Sequence, residues 1–240
     1  MTGGGTLGPV TPLLAIVEEW QSQESIEVSW IGTRKGAERA LVESMQIPFV
    51  SIVSTKFDRS RWWTWWLIPI QLLIGLIQSF IELKKMRPDV VFTAGGYVSV
   101  PVVIMARLMG ISTWVHQLDI VPGLANRIMA PFARQITVTW PDSLEHFSQK
   151  KTTVVGGVMR HALLHGEREQ ACERYSLDKD KLILLVVGGG TGALSINQTM
   201  EAIGSDLLND IQIVHLTGKG KMTQRLESMG EGYLALEFLG

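Results

Sequence analysis

Apolar and polar positions along the chain switch between two periods, and the switching predicts its elements. Residues 13–20 and 37–45 repeat apolar side chains at helical spacing, whereas 26–31 and 49–53 are short runs of strand type. The order then continues: strand over 90–94, helix over 101–109, strand over 111–116, helix over 124–130 and strand over 136–139. A second round predicts a strand over 182–187, a helix over 194–208, a strand over 211–216, a helix over 222–229 and a strand over 233–238. Strands alternating with helices imply an α/β fold built on parallel sheets with helices on both faces. Thr153-Val154-Val155 followed by Gly156-Gly157 marks the expected boundary between two Rossmann-like, doubly wound domains, 1–157 and 158–240. A glycine turn at Gly3 leaves no room for a preceding strand, and such a strand belongs at the centre of the sheet. The expectation is therefore a chain lacking the first strand of its first domain and holding only part of its second.

Three glycine-rich turns sit where a strand hands over to a helix. They read Gly3-Gly4-Gly5-Thr6-Leu7-Gly8, Gly95-Gly96-Tyr97-Val98-Ser99 and Gly188-Gly189-Gly190-Thr191-Gly192-Ala193. Glycine lets backbone N–H groups approach a ligand, and the helix start behind them adds partial positive charge. Such turns also serve only to pack a strand on a helix, but three in register across two units point to phosphate or diphosphate groups. None precedes Gly-Lys-Ser/Thr, so none is a P-loop. No acidic residue suited to a nicotinamide dinucleotide's ribose follows Ile31, which disfavours an oxidoreductase.

From 62 to 81 there is no charged residue, and the run carries Trp62, Trp63, Trp65 and Trp66, half of the eight tryptophans. Gln71, Gly75, Gln78, Glu82 and Lys85 fall on one side of a helix here, with a broad apolar face opposite. Tryptophans beside Lys56, Arg59 and Arg61 suggest contact with a lipid interface. A plain sheet-covering helix and a membrane span are the other two readings, the length just reaching the ~20 residues a span needs.

The net charge of −1 gives no electrostatic case for nucleic acid, and a single cysteine, Cys172, excludes an internal disulfide or a cysteine-based zinc site. Asp178-Lys179-Asp180 has metal-nucleotide form but lies at the sheet end opposite the glycine turns, as a solvated turn does, so no metal is expected. His116, at the carboxyl end of a strand, and Asp119 form a polar pair able to bind a sugar or orient a hydroxyl; the alternative is a histidine that only caps the turn. His215 has the same place in the second unit. Arg160, at the seam, is either a phosphate partner or a surface charge.

Taken in order, Gly4-Gly5-Thr6, Trp30-Ile31-Gly32-Thr33-Arg34-Lys35-Gly36, Pro88-Asp89-Val90-Val91, Gly95-Gly96-Tyr97-Val98-Ser99, Val121-Pro122-Gly123-Leu124, Asn126-Arg127, Gly188-Gly189, Gly192-Ala193 and His215 with Thr217-Gly218-Lys219-Gly220 resemble the MurG-type glycosyltransferases. The resemblance implies the two-domain GT-B arrangement and inverting transfer of N-acetylglucosamine from UDP-N-acetylglucosamine to undecaprenyl-diphosphate-linked muramyl-pentapeptide, in peptidoglycan synthesis. It implies a peripheral protein on the cytoplasmic side of the inner membrane, with no cofactor. By resemblance Thr6, Leu7, Gly8, Asp119, Arg160, Gly190 and Leu239 face the donor, and Gly95, Gly96, Tyr97 and Ser99 meet the acceptor diphosphate. Asp119 and His116 are the candidate bases. The chain departs from the family at Pro9, where a histidine is usual, at Asp119 (asparagine), at Gly190 (serine) and at Gly157-Val158 (Asn-Pro). Proline neither takes a proton nor donates a backbone hydrogen bond. These departures keep open a homologue that binds without turnover, and an enzyme for another lipid acceptor.

Overall fold

The fold is that of a computed structural model, which describes residues 1–54, 68–160, 163 and 165–238. It divides into two compact units, Met1–Leu163 and Leu164–Gly240.

Unit 1 contains α1 (Thr11–Gln23), β1 (Trp30–Thr33), α2 (Glu38–Ser44), β2 (Phe49–Ile52), α3 (Ile68–Met86), β3 (Val90–Thr93), α4 (Ser99–Leu108), β4 (Ser112–Gln117), α5 (Leu124–Met129), β5 (Gln135–Val138) and β6 (Thr152–Val154). All pairings are parallel: β1 with β2, and β3-β4-β5-β6 in order. Residues 1–3 lie in the expected position of the first strand. The Ile31 amide donates to the Met1 carbonyl (3.0 Å) and the Thr2 amide to the Phe92 carbonyl (2.9 Å), which joins β1 to β3. The run 153–155, read from sequence as a seam, supplies most of the edge strand β6.

Each face of this sheet carries its own core. Val10, Leu13, Leu14, Val17, Trp30, Val42 and Ile47 pack between the sheet and α1 and α2. Ile52, Leu83, Val91, Val98, Val102, Val115, Met129 and Ile136 pack beneath α3, α4 and α5. Pro12 in the first turn of α1 presets a helical φ. The Leu7 carbonyl receives the amides of Val10 and Thr11, so the first glycine loop is tied to the helix start.

Helix α3 is inverted relative to an ordinary surface helix. Gly75, Ser79 and Leu83 are its buried residues. Gly75 belongs there because a Cβ would stand 2.7 Å from the Val53 carbonyl. Gln78 accepts the Val53 amide at 2.6 Å. The apolar side, with Ile70, Leu73, Ile74, Ile77, Phe80 and Ile81, faces outward. Among the described residues no helix is long and apolar enough to cross a membrane.

Unit 2 contains α6 (Arg168–Tyr175), β7 (Leu182–Val187), α7 (Leu194–Leu207), β8 (Ile211–Leu216), α8 (Gln224–Glu227) and β9 (Tyr233–Leu236), with the parallel order β7-β8-β9. Its core is Met200, Ile213 and Leu226, and β7 leaves Leu182, Leu185 and Val187 exposed.

Candidate active site

The candidate site of unit 1 is made by loops at the carboxyl ends of its parallel strands. The first glycine loop is fixed from behind by Glu38, the first residue of α2, which is fully buried. Its carboxylate accepts the Thr33 amide (2.8 Å), the Thr33 hydroxyl (2.5 Å) and the Gly5 amide (3.3 Å). Thr6 and Gly8 are exposed and Leu7 is half-buried. The amides of these three residues donate to no partner among the described residues.

The second glycine loop lies directly against the first. A Cβ on Gly96 would stand 2.7 Å from the Gly4 carbonyl, and one on Gly5 would collide with the Tyr97 ring. Gly95 and Gly96 have φ of 111° and 95°, the left-handed region that only glycine occupies without strain. This turns the amides of Gly96, Tyr97 and Val98 out of the strand, and they too donate to no partner among the described residues. Ser99 plays an internal part. It is buried, accepts the Thr93 hydroxyl at 2.9 Å, and donates to the Gly95 carbonyl at 3.0 Å. Burial, then the charge of Glu38, push the Tyr97 phenol above its ordinary range, and a hydrogen bond with Thr33 opposes them.

His116 and Asp119 occupy different environments. The His116 ring is 1% exposed, with Nδ1 2.9 Å from the Thr137 hydroxyl and Nε2 3.3 Å from the Thr139 hydroxyl. Burial lowers its pKa, against a backbone hydrogen bond at Thr137. Asp119 is exposed, on a backbone anchored at its carbonyl by Gln117 Nε2 (2.7 Å) and the Ser143 hydroxyl (3.2 Å). Gln117 is itself held by Asn126, whose Nδ2 donates to Gln117 Oε1 at 2.6 Å. Asn126 Oδ1 lies 2.9 Å from where a Cβ of Gly95 would be, so Asn126 stands between the exits of β3 and β4.

Arg160 forms an ion pair with Glu18 of α1, Nε to Oε1 at 2.9 Å and Nη2 to Oε1 at 2.5 Å. The hydrogen bond to Glu18 raises the guanidinium pKa further. In unit 2, Gly190 is exposed on its loop, and the loops after β7 and β8 meet closely at Gly192 and Gly218. Asn197 of α7 donates to the carbonyls of Thr217 (3.1 Å) and Lys221 (3.2 Å). His215 is buried against the Tyr233 hydroxyl at 2.7 Å, and burial lowers its pKa. Leu239, Trp62, Trp63, Trp65 and Trp66 lie outside the described residues. Among those described, no group of three His, Cys, Asp or Glu could hold a metal ion.

Sequence reasoning overlooked Glu38 and Asn197 as parts of these sites, and met Gln117 and Asn126 only as members of motifs. A glutamate after Gly36 reads as a solvated helix start, and nothing local announces that three glycines clear space for it.

The model of the glycosyltransferase family 28 N-terminal domain matches residues 1–138. A UDP-N-acetylglucosamine–N-acetylmuramyl-(pentapeptide) pyrophosphoryl-undecaprenol N-acetylglucosamine transferase from Lachnospira eligens is 39% identical over 239 residues, covering 100% of this chain and 67% of the relative. The chain belongs to the MurG-type branch of glycosyltransferase family 28. A second such transferase, from Bacillus anthracis, is 36% identical over 99% of this chain and 67% of its own length. The chain thus spans about two thirds of these MurG-type relatives. The crystal structure of Acinetobacter baumannii MurG superposes with a TM-score of 0.66 at 26% identity, covering 100% of this chain and 65% of that one. A UDP-GlcNAc 2-epimerase from Neisseria meningitidis shares the fold alone, with a TM-score of 0.68 at 12% identity, over 100% of this chain and 72% of that one. The family 28 match contains both glycine loops of unit 1, Glu38, His116 and Asp119; Arg160 and Gly190 lie beyond it.

Proposed function

We propose that the full-length protein is an inverting glycosyltransferase that moves N-acetylglucosamine from UDP-N-acetylglucosamine to undecaprenyl-diphosphate-linked muramyl-pentapeptide. The observation that carries this reading is identity of 35–39% along essentially the whole chain to enzymes named for that transfer. The site's chemistry supports it. Unpaired amides of Gly96, Tyr97 and Val98, at the start of a ten-residue helix, suit the acceptor diphosphate. Those of Thr6, Leu7 and Gly8 suit the donor side, where negative charge grows on the leaving diphosphate. In the reaction an acceptor sugar hydroxyl attacks the anomeric carbon, the bond to the diphosphate oxygen breaks, and UDP leaves with the electron pair. The hydroxyl proton goes to a base, and Asp119 takes that role, being exposed where His116 is enclosed. Arg160 would reach a donor phosphate only by exchanging the Glu18 carboxylate for it. Gly190 and Leu239 stay assigned to the donor.

The outward apolar face of α3, ending in Lys84 and Lys85, suits a lipid interface, which supports peripheral attachment on the cytoplasmic side of the inner membrane. The test is incubation of the full-length protein with UDP-N-acetylglucosamine and the lipid-linked muramyl-pentapeptide, beside an active control enzyme. The expected outcome is the lipid-linked disaccharide; its absence opposes the reading. A second reading, a homologue that binds donor without turnover, draws on Pro9 and Gly190 in place of the family's histidine and serine. Calorimetric donor binding with no product selects it.

A further inference from the structure

We propose that Glu38 is a positioning residue that sets the first glycine loop for substrate, by holding the Gly5 amide back while the next three amides face outward. The inference rests on the glycosyltransferase reading above. The carboxylate is fully buried and divides its two oxygens between two structures. Oε1 accepts the amide and hydroxyl of Thr33, at the end of β1; Oε2 accepts the Gly5 amide. The space it occupies is cleared by glycine. A Cβ on Gly4 or on Gly36 would run into the carboxylate, and one on Gly32 would stand 3.3 Å from Oε1. The run Gly32-Thr33-Arg34-Lys35-Gly36-Ala37-Glu38 thus finds its purpose in seating one acid rather than in touching a ligand.

A buried carboxylate behind an anion-binding loop repels the anion, so its retention there calls for a geometric return. Without the Gly5 tether, residues 5–8 would be held only through Leu7, whose carbonyl receives the start of α1. The loop could then turn its amides back onto its own carbonyls. With it, the chain is fixed at both ends of the Thr6, Leu7 and Gly8 stretch. The same anchor reaches the second loop, since the Tyr97 ring packs on Gly5, whose amide Glu38 holds.

Glu38→Gln separates the two functions of the side chain. Its amide oxygen still accepts from Thr33, while its NH2 faces the Gly5 N–H, donor against donor. In the full-length protein the expected result is a retained cooperative melt, Gly5 amide exchange faster by ~10-fold or more, and a fall in kcat/KM of ~10- to 100-fold, carried mainly by donor KM. Glu38→Asp, which restores an acceptor for Gly5, recovers part of that loss. Wild-type Gly5 exchange together with wild-type kinetics in Glu38→Gln overturns the proposal; if Glu38→Gln loses its cooperative melt, the exchange pattern of the wild-type protein decides it. The wild-type protein provides a measurement independent of any variant and of turnover. Its Gly5 amide should exchange more slowly than those of Thr6, Leu7 and Gly8, and adding UDP-N-acetylglucosamine should protect the latter. Equal exchange at all four overturns the tether. An inactive wild type with a protected Gly5 counts instead against the assigned reaction.

Discussion

His116 gives both ring nitrogens to threonine hydroxyls inside the sheet, and Asp119, three positions on, presents a carboxylate to solvent from an anchored backbone. A base must reach the proton it removes. Asp119→Asn in the full-length protein is therefore expected to lower kcat by ~100-fold or more with little change in donor KM; a wild-type rate removes Asp119 from the mechanism. His116 enters through stability instead. Burial holds its folded pKa below the ordinary 6.5, so below that pH the unfolded chain binds the proton more readily than the folded one. Stability of unit 1 should be full above about pH 6.5 and decline as pH falls toward the folded pKa. Every tryptophan lies at or before Trp140, so tryptophan emission follows unit 1 and excludes His215 from the measurement. Denaturant midpoints read by emission should decrease from pH 7.5 to 5.5, and less steeply in His116→Gln. Parallel slopes in the two proteins would count against this.

Helix α3 illustrates what a pattern can and cannot reveal at the scale of an element. Its helical period and its split into two sides were legible from the charge-free run 62–81 and from Gln71, Gly75, Gln78, Glu82 and Lys85, but neither its bounds at Ile68–Met86 nor which side packs. Gly75 faces inward because close approach to the Val53 carbonyl and Pro101 leaves no room for a side chain, a constraint set by the residue after β2 and by α4 rather than by the helix itself. The consequence is an exposed apolar face. Replacing Leu73 and Ile77 by glutamate should leave the melt unchanged, since both are exposed, 59% and 51%. It should weaken binding to anionic vesicles by ~10-fold or more, each apolar side chain contributing ~1.5–3 kcal/mol when fully withdrawn from water. Undiminished vesicle binding would place the contact elsewhere. Other elements followed the sequence within a few residues, as with β7 and β8, whose apolar runs match their strands end to end. The 26–31 run did not: β1 begins at Trp30 because its pairing starts opposite Phe49. Helix α6 escaped notice since Cys172 is its only buried residue, which leaves almost no apolar stripe to read. In the site, glycine loops were visible because glycine is informative alone. Glu38 and Gln117 were not, because a buried polar residue is defined by partners distant in sequence.

At the scale of the whole molecule, the cores are unequal. Among the described residues, unit 1 has two clusters, of 13 and 8 buried apolar residues on opposite faces of one sheet, whereas the cluster in unit 2 has three. Stability is a small difference between burial and chain entropy, so a unit with a thin core and exposed leucines on β7 has less to set against its ordering. The two units should therefore unfold in sequence, unit 2 first. The chain provides its own probes for this. Tryptophan emission reports unit 1 alone, while far-ultraviolet circular dichroism also sees α6, α7 and α8. In a urea titration of the 240-residue chain, ellipticity should begin to fall while emission is still native, and the emission change should follow at higher urea. Met200→Ala, which truncates one member of the buried cluster of Met200, Ile213 and Leu226 in unit 2, should move the first transition to lower urea and leave the second in place. Superposed curves from the two probes, shifting together in Met200→Ala, would mean that the units fold as one cooperative body, and the unequal cores would then carry no consequence for stability.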